Sequence, residues 1–311
     1  MANPAMVAAA GRAADLAATL LTALIPPAAR RAERRISEGS FSSTADHEDA
    51  LRTLLVFHQD IVSPVSTAFA FALPSSKALH AICQHASAGI VEVGAGNGLW
   101  SALLRTCAPL LVHASDCAEP EQAWDDSLLC TTDGRVSTTA DDPRALFLCW
   151  PSLELEAPPP GAAEERTNTM AVDALAAYSG TTLIYIGEWR GSAGVLSALS
   201  HRTADHGQTA GAAFWAVVDR EWQCIECVPL PRWPGFADSL FIFRRRGQPP
   251  RIDALPSTPP ATPPSRCSPC LARRLHELTT TLGLTQRPVV AAMLVLEDHL
   301  RSCKTRSTPP D

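Results

Sequence analysis

The segment Ile90-Val-Glu92-Val-Gly94-Ala-Gly96-Asn-Gly98-Leu-Trp100 constrains the fold of this chain more than any other. A short apolar run leads into three alternate glycines, and a helical pattern begins at once. Trp100, Leu103, Leu104 and Cys107 recur at spacings of three and four and so share one helix face. Glycine accepts positive φ without steric penalty, so the backbone can reverse tightly between the two elements. A strand, a tight turn and a helix in that order put the helix N-terminus at the carboxyl edge of a sheet, where doubly wound sheets bind ligands.

The same alternation continues down the chain. Leu110 to Ala114, Ala145 to Trp150 and Thr182 to Ile186 read as further strands. Helices fit Asn168 to Tyr178 and about Val195 to His201. After Gly211 three β-like runs follow, Phe214 to Val218, Gln223 to Val228 and Ser239 to Arg244, without room for a helix between them. The predicted fold is therefore α/β: a Rossmann-like, doubly wound, mostly parallel sheet with antiparallel C-terminal edge strands. Helical or disordered tails flank it.

The glycine turn also limits the ligand. A dinucleotide fingerprint needs glycine where this chain has Leu99, and a P-loop needs Gly-Lys-Ser/Thr, which does not occur. Pyrophosphate ligands, and with them an NAD-dependent oxidoreductase, are disfavoured. What stands instead is Glu92, two residues before the first glycine, and Asp116 at the end of the second strand, eighteen residues beyond Gly98. A carboxylate in that place suits two ribose hydroxyls.

This Glu-x-Gly-x-Gly-x-Gly pattern with a downstream acid resembles class I S-adenosylmethionine-dependent methyltransferases. The resemblance implies that S-adenosyl-L-methionine is the cofactor, with Gly94, Gly96 and Gly98 against its methionine moiety and Asp116 on its ribose. Glu92 would support the site through the turn's backbone or a water. More of the chain, about 69 to 246, is similar to a poorly characterised branch of methyltransferase-like proteins. The match runs through Phe69-Ala-Phe71-Ala-Leu-Pro74, Leu148-Cys-Trp150-Pro151, Leu183-Ile-Tyr185-Ile-Gly187-Glu188 with Gly191 and Gly194, and Leu230-Pro-Arg-Trp233-Pro234-Gly235-Phe-Ala-Asp238. This chain has Ser152 where the commoner form reads Trp-Pro-Pro, and Phe69 where a tyrosine is expected.

Trp150 and Glu188 both follow parallel strands and so project to the carboxyl edge that carries the glycine turn. Trp150 offers an aromatic face for a sulfonium or an adenine, and Glu188 a carboxylate to orient substrate or accept a proton. The structural alternatives are a core tryptophan and, for Glu188, a structural cap at a helix entrance. Methyl transfer by in-line displacement asks mainly for a nucleophile held in line within a dry pocket. The acceptor, small molecule or macromolecule, is not identified, although the missing Asn/Asp-Pro-Pro-Tyr/Phe signature disfavours adenine and glutamine amides. The rival reading is a non-catalytic S-adenosylmethionine-binding or scaffold module on the same fold. His201 and His206 read as solvated bystanders.

Composition narrows the partners. With 26 basic and 32 acidic residues the formal charge is −6, which gives no general attraction to nucleic acid or anionic membrane. Arg244, Arg245, Arg246 and Arg251 read as a solvated terminus. The most apolar early run, Leu16 to Ile25, is too short to cross a bilayer and abuts Pro26-Pro27, so no span is expected. Ten scattered cysteines in a chain of this length suit reduced thiols and a cytoplasmic location. The Ala- and Arg-rich residues 1 to 40 leave an organelle transit segment as the alternative.

All seven tryptophans lie between Trp100 and Trp233, and eight prolines fall between Pro249 and Pro269. The expected division is an Ala/Arg-rich leader and helix (1–59), the methyltransferase-like domain (60–248), a Pro-rich linker (249–266) and a short helical segment (267–311) with helices at Leu271 to Leu278 and Val289 to Leu300. Cys224/Cys227 and Cys267/Cys270 form Cys-x-x-Cys pairs, but residues three apart on a strand face opposite ways, so a shared zinc is disfavoured and no metal site is assigned. A local zinc site using Cys267, Cys270, Cys303 and either His276 or His299 is the remaining metal alternative.

Overall fold

The computed structural model describes residues 3–107, 112–117, 123–124, 129–130, 143–151, 170–189, 194–196, 209–247, 276 and 286–307. Its centre is a seven-stranded sheet of β1 (Ile90–Val93), β2 (Val112–Asp116), β3 (Leu129–Cys130), β4 (Ala145–Cys149), β5 (Thr182–Gly187), β6 (Trp222–Pro229) and β7 (Ser239–Arg245). The spatial order is β3-β2-β1-β4-β5-β7-β6. Pairing is parallel from β3 through β5, whereas β7 runs antiparallel to both β5 and β6. The chain order reverses between β1 and β4, which makes the carboxyl ends of these two strands the topological switch point. The predicted fold class stands.

Nine helices occur among the described residues: α1 (Pro4–Thr22), α2 (Pro27–Glu38), α3 (Thr44–Phe57), α4 (Ser63–Ala68), α5 (Ser76–His85), α6 (Leu99–Cys107), α7 (Met170–Ala177), α8 (Ala212–Glu221) and α9 (Arg287–Ser307), with a π-helical turn at His58–Val62. They cover both faces of the sheet. Alternation along the strands sends Val91, Val93, Leu148 and Tyr185 to the face packed by α7 and α8. Ile90, Phe147, Ile184 and Ile186 go to the other face, which is covered by helices from both ends of the chain. Every residue of β1 and β5 is buried, as a doubly covered parallel sheet requires.

Helix α1 presents Val7, Ala10, Ala14, Ala17, Ala18 and Leu21 to this core and packs on α5, α6 and α9. Helix α9 contributes Val289, Ala292, Met293 and Leu296. One buried cluster thus runs from Val7 to Leu300, and the division expected at residue 60 passes through continuous packing. Counting only Leu16 to Ile25 also understated α1. It has 19 residues and is long and apolar enough, by length and composition, to cross a membrane.

Other expectations change too. Phe214 to Val218 is not a strand but lies within α8. Phe214, Trp215 and Val218 are buried while Ala213, Ala216 and Asp219 are exposed, the period of a helix and not of a strand. The two-residue β3 has no counterpart in the sequence reading. A β-bulge between Cys224 and Glu226 sets Cys224 opposite Phe243 and Cys227 opposite Phe241, so the two thiols occupy register positions on one face, contrary to the spacing argument. No cluster of three or more metal-ligating side chains occurs among the described residues. The linker at 249–266, Cys267, Cys270, His201 and His206 lie outside the described residues, as does the helix expected at 271–278 apart from His276.

Candidate functional site at the switch point

The glycine turn sits at the carboxyl end of β1. Gly94, Gly96 and Gly98 have φ of 75°, 57° and 76°, the left-handed region that other residues enter only at a cost. The amides of Gly94 and Ala95 both donate to the Ser115 carbonyl, each at 3.0 Å, which stitches the turn to β2. The Gly98 amide donates to Ala95 O at 2.9 Å, and α6 starts at the next residue. Because β1 and β2 pair Val93 with Ser115, Asp116 ends its strand beside the turn. Its Oδ2 accepts the Gly96 amide at 2.7 Å.

Four of the predicted residues, Gly94, Gly96, Gly98 and Asp116, are therefore brought together. Glu92 lies behind them, buried in β1, with Ser115 Oγ donating to its carbonyl at 3.3 Å. Room for a cofactor beside the bend exists at Gly96 but is taken at Gly94 by the Met170 side chain. A Cβ at Gly96 would point into open space, and a Cβ at Gly94 would come within 2.8 Å of Met170 Sδ and Cε. Met170 stands against the bend from the first residue of α7, a neighbour that no local pattern in the sequence announced.

The second half of the site is built at the end of β4. Pairing of Val93 with Leu148 places Trp150, two residues on, next to the glycine turn. Its backbone is unusual: φ is +50°, the only positive value at a non-glycine position among the described residues. The conformation is held at several points. The Trp150 amide donates to Ile186 O at 2.8 Å, and its indole Nε1 donates to Asp238 Oδ1 at 2.8 Å. Phe71 stacks on the indole, with centroids 5.5 Å apart and planes at 15°, and Phe236 meets it edge-on at 5.1 Å. Behind Phe236, the π-helical turn supplies His58, whose Nε2 donates to Pro234 O at 2.6 Å. Burial holds this imidazole below its ordinary pKa.

Glu188 directly follows β5 on the carboxyl edge. It is fully buried after β5, where its Oε1 accepts the amides of Gly194 at 2.8 Å and Ala237 at 2.6 Å. Its own amide donates to Thr209 Oγ1 at 2.8 Å, and the Tyr185 hydroxyl donates to its carbonyl at 3.1 Å. The carboxylate thus ties the segments at Gly194 and Ala237 together while the backbone of Glu188 holds Thr209, a positioning role. The residue the sequence reading passed over is Asp238. Burial, with the neighbouring Glu188 carboxylate adding to it, pushes its carboxyl up to about 7, against the opposing indole hydrogen bond. Cys149, adjacent to Trp150, is held well above the ordinary thiol range by burial first and by the Glu92 and Asp238 carboxylates next, which leaves it a thiol and not a nucleophile.

A cavity of about 480 Å³ lined by Trp189, Val218, Trp222, Phe243 and Arg246 among others opens at the β6–β7 edge. In the strand order that edge is separated from β1 by β4 and β5, so it is no part of the glycine-turn site.

No protein-family model matches the chain, and no curated protein matches it. Among solved structures, the 1,6-didemethyltoxoflavin-N1-methyltransferase of Burkholderia thailandensis, with bound 1,6-didemethyltoxoflavin and S-adenosylhomocysteine, is similar over 66% of this chain and 91% of that chain. The identity is 11% and the TM-score 0.36. By its strand order and its glycine turn at the switch point, this chain has a Rossmann-like, doubly wound α/β fold.

Proposed function

We propose that this chain is an S-adenosylmethionine-dependent methyltransferase that acts by in-line displacement on an acceptor taken up at the carboxyl edge of the sheet. The observation that carries the reading is the Asp116 carboxylate closing on the left-handed glycine turn through the Gly96 amide. Gly94, Gly96 and Gly98 would hold the methionine half of the cofactor, Asp116 the ribose diol, and Glu92 would support the bend from β1. Bound there, the cofactor supplies an electrophilic methyl on a sulfonium that departs as a neutral thioether.

The chain's own residues then have to orient the acceptor and keep water out. Trp150 and Phe71 supply the apolar wall beside the turn, and Asp238 fixes the indole. Deprotonation of the acceptor is not assigned to Glu188, whose buried carboxylate serves backbone amides. That same observation favours the second reading, a cofactor-binding module without turnover. Incubation of the full chain with methyl-labelled S-adenosylmethionine and fractionated cell extract separates the two. Label entering small molecules, protein or RNA supports transfer, whereas cofactor binding without S-adenosylhomocysteine formation supports the module.

A further inference from the structure

The cavity at the β6–β7 edge is built from parts that the glycine-turn site does not share. Helix α8 ends at Glu221 and β6 begins at the next residue, so Val218 lines the cavity from the helix while Trp222, Cys224 and Phe243 line it from the two strands. Val218, Trp222 and Phe243 are deeply buried. Cys224 stands opposite Phe243 in the register, and so short a side chain among rings leaves part of the space, about 480 Å³ in all. That volume lies within the range of small-molecule sites. The rings are held in place. Trp222 stacks on Tyr178 with centroids 6.1 Å apart and planes at 13°, and the Arg245 guanidinium lies 4.5 Å from its centroid. Trp189, a further lining residue, stacks on Trp215 at 5.9 Å and 11°, and Phe243 meets it edge-on at 5.4 Å.

A cation completes the lining. Arg246 is exposed, and its amide donates to Glu221 O at 2.7 Å, which pins its backbone to the end of α8. Its guanidinium enters none of the ion pairs of the described residues; the arginine that pairs with Glu221, at 3.0 Å, is Arg245. Asp219 also lines the cavity, and none of those ion pairs joins it to Arg246. We infer that this cavity binds an aromatic carboxylate, with the ring system among Trp189, Trp222 and Phe243 and the carboxylate on the Arg246 guanidinium. The planar fork of arginine matches a carboxylate in geometry and charge, and rings already fixed by their neighbours gain from stacking at little cost in ordering. The inference does not depend on the methyltransferase reading, because β4 and β5 separate this edge from the glycine turn.

The test is isothermal titration of the full chain with 2-naphthoate, using 2-naphthamide as the uncharged control and decahydro-2-naphthoate as the saturated one. 2-Naphthoate should bind at least tenfold more tightly than either. Arg246→Gln should weaken 2-naphthoate by tenfold or more, leave 2-naphthamide within twofold, and keep the wild-type unfolding midpoint in urea because the residue is exposed. Cys224→Leu, which adds volume inside the cavity, should weaken both naphthyl ligands; the Arg246→Gln result decides the matter even if this second variant fails to fold. Saturating S-adenosylhomocysteine should leave the 2-naphthoate affinity unchanged. Binding of 2-naphthoate no tighter than either control, equal binding to wild type and Arg246→Gln, or competition with S-adenosylhomocysteine overturns the inference.

Discussion

Replacing Asp238 by asparagine should flatten the pH dependence of stability between pH 5 and pH 8. In the folded chain this carboxyl is 3% exposed and ionises at about 7, against 3.8 for an ordinary aspartate. Between those two values the folded form binds more protons than the unfolded form, so the free energy of unfolding falls as pH rises. The stability this group contributes is fully present below its unfolded value and is lost as pH climbs through about 7. Integrating the difference in proton binding gives a loss of about 2.5 kcal/mol from pH 5 to pH 8 for this group. Asparagine keeps an Oδ1 acceptor for the Trp150 indole but cannot ionise, so the variant lacks that slope. Buried His58, whose depressed pKa acts in the opposite sense, is common to both proteins and cancels in the difference. The assay is equilibrium urea unfolding followed by tryptophan fluorescence at half-unit pH steps. Wild-type and variant profiles that stay parallel to within about 0.5 kcal/mol, the ordinary scatter of such differences, would refute the reasoning.

Further outcomes follow from the same geometry. Glu188→Gln, which still offers an oxygen to the Gly194 and Ala237 amides, should keep S-adenosylhomocysteine affinity within about twofold, whereas Glu188→Ala strands one buried and one half-buried donor and should cost about 1 to 3 kcal/mol in urea unfolding. Gly94→Ala puts a Cβ on a residue at φ of 75° and should destabilise by about 1 to 2 kcal/mol; relieving the Met170 contact with Met170→Ala should leave that strain in place. The Tyr178 hydroxyl lies 2.7 Å from Arg144 O and 2.9 Å from Thr182 O and shares its one proton between these carbonyls, so Tyr178→Phe should lower the unfolding free energy by about 1 to 3 kcal/mol, measured as a drop in thermal midpoint.

How much of this was readable in the sequence depends on the range of the interaction. The β1 strand, its glycine turn and α6 are set by neighbours within a few residues, and there the periodicity and the glycine spacing sufficed. Asp116 was found for the same reason, since a strand end beside a known turn is a local inference. Phe214 to Val218 misled because five apolar or small residues in a row satisfy either period, and only the burial of Trp215 beside Phe214 decides for a helix. The bulge at Cys224–Glu226 cannot be seen without the partner strand. Docking of α1 and α9 on one core couples residues nearly 300 positions apart, which no window of sequence records. Glu188 and Asp238 illustrate the limit for chemistry. Both are acids at the carboxyl edge, yet their roles are settled by which amides and which indole reach them across loops.

The central claim is that Asp116 and the glycine turn form the seat of S-adenosylmethionine. Isothermal titration of the full chain with S-adenosylhomocysteine tests it most directly, run in parallel on Asp116→Ala. A dissociation constant in the micromolar range, weakened about 5- to 150-fold by the substitution through the loss of charge-assisted hydrogen bonds worth about 1 to 3 kcal/mol, is the predicted result. Folded wild-type protein that takes up no ligand, or an affinity that Asp116→Ala leaves unchanged, would contradict it.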